Sequence, residues 1–167
     1  MNPSTYETVS AMIAPALFLT ATASLIVSTA NRMGRVIDRI RKLIELGNQI
    51  AQGVAALDFP EARLAHIEML LQNLQGRNRR ILVTVSELYL AFGAFVGTSL
   101  AIALDSATGR HLDGLPTFFA IAGVVLLLLA SMNLVAEVRI ATRTNHLEVE
   151  FYHELNKMRR EKVDPKS

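Results

Sequence analysis

Three long apolar stretches dominate the pattern of the chain, and almost no charged residue interrupts them. Residues 8–31 and 115–136 contain no Lys, Arg, Asp or Glu, and residues 81–104 contain one such residue, Glu87. About 20 residues of α-helix cross the roughly 30 Å hydrocarbon core of a bilayer, where the backbone polar groups must pair within the segment. The pattern therefore predicts three transmembrane helices, over about residues 9–31, 81–104 and 115–136.

The segments between and after these runs repeat apolar residues every three or four positions, as one face of an amphipathic helix does. They predict a helical hairpin over residues 32–80 and a helix over residues 137–163. The first arm of the hairpin is expected to end near Gly47 or Gly53. Asp58 is the expected N-cap of the second arm, which has a proline in its first turn.

The composition is consistent with helices that each join an apolar segment to a charge-rich segment. Hydrophobic residues make up 51% of the 167 residues and charged residues 19%, yet 31 of the 32 charged residues lie outside the apolar runs. The apolar faces of the charged segments must be buried against one another or against other chains. The expected fold is an all-α integral membrane helical bundle, a single domain over residues 1–167. In it, three long transmembrane helices extend into a cytoplasmic coiled-coil-like stalk.

Lys and Arg are distributed unevenly between the two sides of the predicted membrane. Nine lie in residues 32–80 and seven follow residue 136, whereas the connection between the second and third spans has only Arg110. Because segments rich in Lys and Arg stay in the cytoplasm, the N-terminus is predicted outside and the C-terminus in the cytoplasm. This distribution accounts for the net charge of +2 and the pI of 9.2, so we do not expect nucleic acid as a partner.

The chain lacks the residue patterns of common catalytic and metal centres. It has no cysteine, no phosphate-binding glycine loop, no Gly-x-Ser-x-Gly elbow and no His-Glu-x-x-His pair. Glu150 and His153 have the Glu-x-x-His spacing of di-iron bundles, but such a site needs a second copy of the motif. We therefore expect neither an enzyme nor a bound metal or other cofactor.

The longest distinctive pattern begins in the first apolar run and ends in the basic segment after it. Residues 13–41 read IAPALFLTATASLIVSTANRMGRVIDRIR, which resembles the opening signature of a bacterial membrane family, domain of unknown function 2721. The likeness extends through the hairpin and the later spans. The resemblance implies a bacterial cytoplasmic membrane and three spans, but it implies no activity and no catalytic residues.

A stripe of small polar residues follows one face of the first span. Thr20, Ser24 and Ser28 are four residues apart, and Asn31 and Arg35 continue the same face. In an oligomer this face could line a hydrophilic pathway with basic residues at its cytoplasmic mouth. Alternatively, Ser and Thr are simply the small residues that membrane helix interfaces favour.

Glu87 is the one ionisable side chain well inside a predicted span. It lies seven residues, about 10 Å of helix, beyond Arg80 at the cytoplasmic boundary. Arg32 or Arg35 on the oppositely directed first helix could pair with it, and Asn133 is expected at a similar depth. Such a carboxylate indicates either a structural ion pair or an ion-binding or proton-sensing group.

Two further patterns predict contacts with neighbours. Gly93, Gly97 and Ala101 form a ridge of small residues that lets another helix approach closely, either within the chain or from a second copy. The basic collar Arg32–Lys42 predicts contact with anionic lipid headgroups, or simply an anchor at the cytoplasmic surface.

Two classes of function are compatible with these patterns. Three helices cannot enclose a water-filled pore alone, so a conducting protein would have to be a homo-oligomer. The first class is therefore a homo-oligomeric ion channel or pore lined by the first span, with Glu87 near its cytoplasmic gate. The second is a membrane-anchored scaffold that binds a partner through its cytoplasmic helices.

Overall fold

The fold consists of α-helices throughout the part of the chain that the computed structural model describes. Backbone is described for residues 9–54, 58–108 and 114–163, and side chains for the same residues apart from 142–148 and 161–163. A helical turn at residues 9–11 precedes three long helices, which are α1 (Ile13–Ala51), α2 (Pro60–Ala107) and α3 (Gly114–Val163). The predicted all-α helical class is confirmed. Residues 109–113 of the predicted outer connection lie outside the described residues.

Each long helix continues without interruption from an apolar part into a charge-rich part, or the reverse. The helices α1, α2 and α3 contain 39, 48 and 50 residues, about twice the length that a bilayer requires at 1.5 Å per residue. All three are long and apolar enough to cross a membrane. The protein is therefore a membrane protein with three candidate spans.

The end of α1 depends on a glycine. The amide of Val54 donates to the carbonyl of Gln49 and the amide of Gly53 donates to Ile50, both over 3.0 Å. These two bonds form a Schellman cap, which needs a residue in the left-handed backbone region. Gly53 has a φ of 70° and adopts this region without steric cost. Of the two glycines considered from the sequence, Gly53 ends the helix.

The start of α2 differs from the sequence expectation. The carbonyl of Phe59 accepts the first backbone bond of the helix, from the amide of Arg63 at 3.1 Å. Phe59, with a φ of 56°, therefore occupies the N-cap position expected for Asp58. The carboxylate of Asp58 instead accepts a hydrogen bond from Nε of Arg159 on α3 at 3.1 Å.

The helices form two compact units. Unit 1 comprises Met1–Gly34 and Arg80–Leu134, and unit 2 comprises Arg35–Arg79 and Val135–Ser167. The three apolar runs therefore belong almost entirely to unit 1, while unit 2 contains most of the charged residues.

The core of unit 1 follows one face of α2. Its buried positions recur every three or four residues, at Ile81, Thr84, Leu88, Ala91, Phe95, Thr98 and Ala101. The most apolar window of α2 is 33% buried, against 11% for the windows of α1 and α3. Most of the apolar surface consequently faces outward. Water-soluble monomers rarely expose so much contiguous apolar surface, but lipid-facing helices do.

Unit 2 has a smaller core with aliphatic residues from all three helices. These are Val36, Ile50, Ile67, Leu70, Leu74 and Leu155. His66 is also buried, and its ring stacks on that of Phe151 with the centroids 3.7 Å apart. The apolar stripes of the charge-rich segments thus bury one another within unit 2.

Candidate functional site

Glu87 on α2 and Asn133 on α3 meet inside unit 1. Nδ2 of Asn133 lies 3.0 Å from Oε1 and 2.8 Å from Oε2 of Glu87, so one amide group donates to both carboxylate oxygens. Both residues are half-buried. A carboxylate among apolar helices is costly unless it is hydrogen-bonded. Asn133 therefore provides Glu87 with a neutral partner on the neighbouring helix.

This arrangement defines what the pair can do chemically. A carboxylate offers roughly four lone-pair sites, and the bonds from Asn133 use two of them. The other lone pairs can accept a proton or ligate a hard cation, for which carboxylate and amide oxygens are suitable ligands. The structure places Arg32 half-buried on α1 in unit 1 and Arg35 exposed in unit 2. The pairing of Glu87 with either arginine stays a prediction.

The polar stripe of α1 lies on the surface of unit 1. Thr20, Ser24, Ser28 and Asn31 are all exposed. The hydroxyl of Thr20 donates to the carbonyl of Ala16 at 3.1 Å, and that of Ser24 donates to the carbonyl of Thr20 at 3.0 Å. These two hydroxyls are therefore satisfied within the helix, and the face can contact either lipid or another protein surface.

The small residues of the ridge Gly93, Gly97 and Ala101 lie in two different environments. A Cβ built on Gly97 would lie 3.1 Å from Cδ1 of Phe119 on α3, and Ala101 is buried. Gly93 is exposed, and a Cβ built on it would have no neighbour within 4 Å among the described residues. Gly97 thus allows close packing inside the chain, whereas Gly93 is available for contact outside it.

Sequence reasoning missed the tightest glycine contact among the described residues of unit 1. A Cβ built on Gly123 of α3 would lie 2.7 Å from Cε1 of Phe95. The Phe95 side chain is 1% exposed and stacks on Phe18 of α1 with the ring centroids 5.0 Å apart. Phe95 therefore joins all three helices. Gly123 is the only glycine in residues 115–136, a signal that could have marked it as a packing position.

Sequence reasoning also missed a buried ion pair in unit 2. Nη2 of Arg77 on α2 lies 2.7 Å from Oε1 of Glu137 on α3, and the two side chains are only 15% and 5% exposed. Nε of Arg77 and Oδ1 of Asn78 are buried without a hydrogen-bond partner in the described part of the chain. The sequence offered one sign of this pair, which is that Glu137 is the first charged residue after the third apolar run.

The collar Arg32–Lys42 presents most of its basic side chains on the surface. Arg35, Arg39, Arg41 and Lys42 are exposed, as contact with headgroups would require. Glu150 and His153 are also exposed. Among the described residues, no three His, Asp or Glu side chains are grouped to hold a metal ion. The absence of a metal centre stays an expectation.

The apolar helices and the buried polar contacts together define an all-α membrane protein with three candidate spans. The chain belongs to the family described as "Protein of unknown function (DUF2721)", whose family model matches residues 12–147. The resemblance seen in residues 13–41 is thus confirmed. No curated protein and no solved structure matches the chain. Because the family has no assigned activity, its function must be inferred from the geometry.

Proposed function

We propose that the protein is a homo-oligomeric ion channel or pore of the bacterial inner membrane, with α1 facing the conducting pathway. The observation that carries this proposal is the exposure of Thr20, Ser24, Ser28 and Asn31 along about three turns of the uncharged part of α1. When such faces from several copies surround one axis, hydroxyl and amide groups replace part of the hydration shell of a passing ion.

A second copy is the occupant that best suits this face. Large apolar side chains of unit 1 are exposed beside it, including Leu17 at 67% and Val27 at 61%. Small polar residues permit close helix contact, and apolar neighbours can continue the contact or meet lipid. The core of unit 1 is filled by side chains such as Phe95 and Leu88. A pathway would therefore lie between copies and not within one.

Glu87 has a subsidiary role in this proposal. Its carboxylate is held by Asn133 and retains lone pairs that can accept a proton or approach a cation. In the proposed orientation it lies close to the cytoplasmic end of the second span, since it is seven residues from Arg80. We therefore propose that Glu87 acts near the cytoplasmic gate.

The proposed orientation places unit 2 in the cytoplasm, since sixteen of the seventeen Lys and Arg residues lie in residues 32–80 or after residue 136. The chain has no cysteine, so single-cysteine variants can report it directly. In spheroplasts, a membrane-impermeant maleimide is expected to label Ala107→Cys, and to label Gln52→Cys only after permeabilisation. Both positions are exposed. The opposite pattern would reverse the orientation.

Conduction can be tested with the purified protein in liposomes. We expect ion flux from the native protein and loss of most of it in the triple variant Thr20→Leu, Ser24→Leu, Ser28→Leu, because leucine side chains would remove water from a narrow pathway. Ser86→Leu is the matched control. Ser86 is an exposed serine on α2 whose hydroxyl donates to the carbonyl of Leu82 at 3.0 Å, as the hydroxyl of Ser24 donates to the carbonyl of Thr20 in the stripe.

Two further measurements make the same experiment decisive. Native mass spectrometry should show five or more copies, since a monomer or a dimer without an axial cavity contradicts the channel. Glu87→Gln keeps the size of the side chain but removes its charge. If Glu87→Gln changes neither assembly nor flux, Glu87 has no role in conduction.

The second candidate is a membrane-anchored scaffold. It is favoured by the separate compactness of unit 2, which has its own core and contains the charge-rich parts of all three helices. In that case the spans only anchor the protein, and unit 2 binds a cytoplasmic partner. A protein that conducts nothing in liposomes, and whose stripe variant assembles and functions normally in cells, would favour this candidate.

A further inference from the structure

Asn133 occupies the position on the Glu87 carboxylate that a chelated cation would need. Its Nδ2 lies 3.0 Å from Oε1 and 2.8 Å from Oε2. The amide nitrogen is therefore placed between the two oxygens, where a cation sits when a carboxylate binds it in a bidentate manner. A proton needs only one lone pair of one oxygen, and a carboxylate has roughly four. This geometry suits a proton better than a metal ion.

The same amide can also hold the protonated acid. A protonated glutamic acid is a donor as well as an acceptor, and Oδ1 of Asn133 accepts no hydrogen bond from the described residues. A small rotation of the amide lets the acid O–H donate to Oδ1 while Nδ2 donates to the other carboxyl oxygen. Charged and neutral Glu87 thus each have a matched pattern of bonds to Asn133, and the two patterns differ.

Charged groups are sparse around this pair. The other ionisable side chains in the described part of unit 1 are Arg32, Arg80, Tyr89 and Asp105. Arg80 and Asp105 are about 10 and 27 Å of helix from Glu87, and Tyr89 is exposed. The stack of Phe18 on Phe95 brings Glu87 level with residue 26 of the oppositely directed α1, so Arg32 lies about 9 Å further along that helix. The described part of α3 in unit 1, residues 114–134, has no charged residue.

We propose that Glu87 and Asn133 form a proton-binding site that regulates cation flux, a regulation that rests on the proposed channel function. At high pH the Glu87 carboxylate places negative charge near the cytoplasmic gate, and rings of Asp or Glu favour cations in channels. When the pH falls, a proton from water at the cytoplasmic mouth binds the carboxylate. The charge is then lost and the bonds to Asn133 rearrange. Cation flux is therefore high with the site empty and low with the site occupied.

Infrared difference spectroscopy of the full chain tests proton binding directly. The protein is kept in dodecyl maltoside, a detergent without carbonyl groups. A protonated acid absorbs at a higher frequency than a carboxylate, so lowering the pH should produce a C=O band that is lost in Glu87→Gln. Glu68→Gln is the matched control, because Glu68 is exposed in unit 2 and its removal should leave this band unchanged. If native protein and Glu87→Gln titrate identically, Glu87 binds no proton and the proposal is wrong.

Asn133→Leu tests whether the amide holds the acid. The band of Glu87 should remain but shift to higher frequency, because an acid carbonyl without a hydrogen bond absorbs at higher frequency than one that accepts a bond. Asn133→Ala serves the same purpose if leucine does not fit. Ser131→Ala is the matched control on the same helix. The Ser131 hydroxyl donates to the carbonyl of Leu127 at 2.8 Å, so its loss should not move the band. An unshifted band in both Asn133 variants would contradict the proposal.

Potassium flux into liposomes tests the regulation, with the same pH on both sides so that the orientation of the protein does not matter. Native protein and Glu68→Gln should conduct severalfold more K⁺ in alkaline than in mildly acidic buffer. Glu87→Gln should show low flux that does not depend on pH, because an amide side chain carries no charge. Equal native flux at both pH values would overturn the regulation. No flux at either pH would contradict the channel itself, and the infrared titration would still support or overturn the proton site.

Discussion

Replacing Glu137 with alanine is expected to lower the free energy of unfolding by about 3–5 kcal/mol. The reason is the environment of its partner. Nη2 of Arg77 lies 2.7 Å from Oε1 of Glu137, and the arginine side chain is 15% exposed, so the variant leaves a mostly buried cation without its carboxylate. The value can be measured in bicelles by titration with SDS, followed by circular dichroism.

The exposed ion pair in the same unit is the matched control. Nε of Arg159 lies 3.1 Å from Oδ2 of Asp58, and these side chains are 49% and 52% exposed. Solvent screens such a pair, so Arg159→Ala should cost about 0–1 kcal/mol. The double variant Arg77→Met, Glu137→Met should recover most of the loss, because it removes both buried charges together. A loss in Glu137→Ala as small as in Arg159→Ala would contradict the assigned role of the buried pair.

Replacing Phe95 with alanine is expected to destabilise unit 1 by about 2–3 kcal/mol. In water-soluble cores this change costs about 3–5 kcal/mol, which combines lost transfer energy with the cost of a cavity. In a membrane the unfolded chain also meets apolar surroundings, so the packing contribution carries most of the effect. Phe95 is 1% exposed, and its ring stacks on Phe18 of α1 and packs against Gly123 of α3, where a Cβ would meet it. The same SDS titration measures the loss.

Two comparisons make this prediction specific. Phe118 is 66% exposed, and Phe118→Ala should change stability by no more than about 0.5 kcal/mol. Gly123→Ala alone should cost about 1–3 kcal/mol, because the added methyl would meet the ring of Phe95. In the double variant Phe95→Ala, Gly123→Ala, the added methyl occupies the space that the Phe95 ring vacates. The loss of stability should therefore be smaller than the sum of the losses in the two single variants. Strict additivity would show that Gly123 and Phe95 do not pack together.

Gly93→Ala provides the corresponding control for glycine substitution. A Cβ at this position meets nothing within 4 Å among the described residues, and alanine is the better helix former by about 1 kcal/mol. The free energy of unfolding of Gly93→Ala should therefore be unchanged or higher. Together with Gly123→Ala, this variant separates helix propensity from close packing.

The candidate site was predictable only in part. Glu87 was recognisable as the one charge inside an apolar run, and Asn133 was expected at its depth. Their hydrogen bond depends on α2 and α3 presenting these faces to each other. The polar stripe was likewise visible in the sequence, but its exposure was not. Helical spacing shows which residues share a face, and it does not show what that face contacts.

The sequence by itself determined the class of the protein: three long helices, each joining an apolar segment to a charged one. The reason is that length, hydropathy and charge act locally along the chain, and a span must pair its backbone polar groups, which a helix of about 20 apolar residues does within itself. The tertiary structure alone decided which side chains meet. Phe95 faces Gly123, Arg77 faces Glu137, and Arg39 and Arg63 line a cavity together with aliphatic residues. These contacts depend on the rotation and register of packed helices, which no single helix specifies.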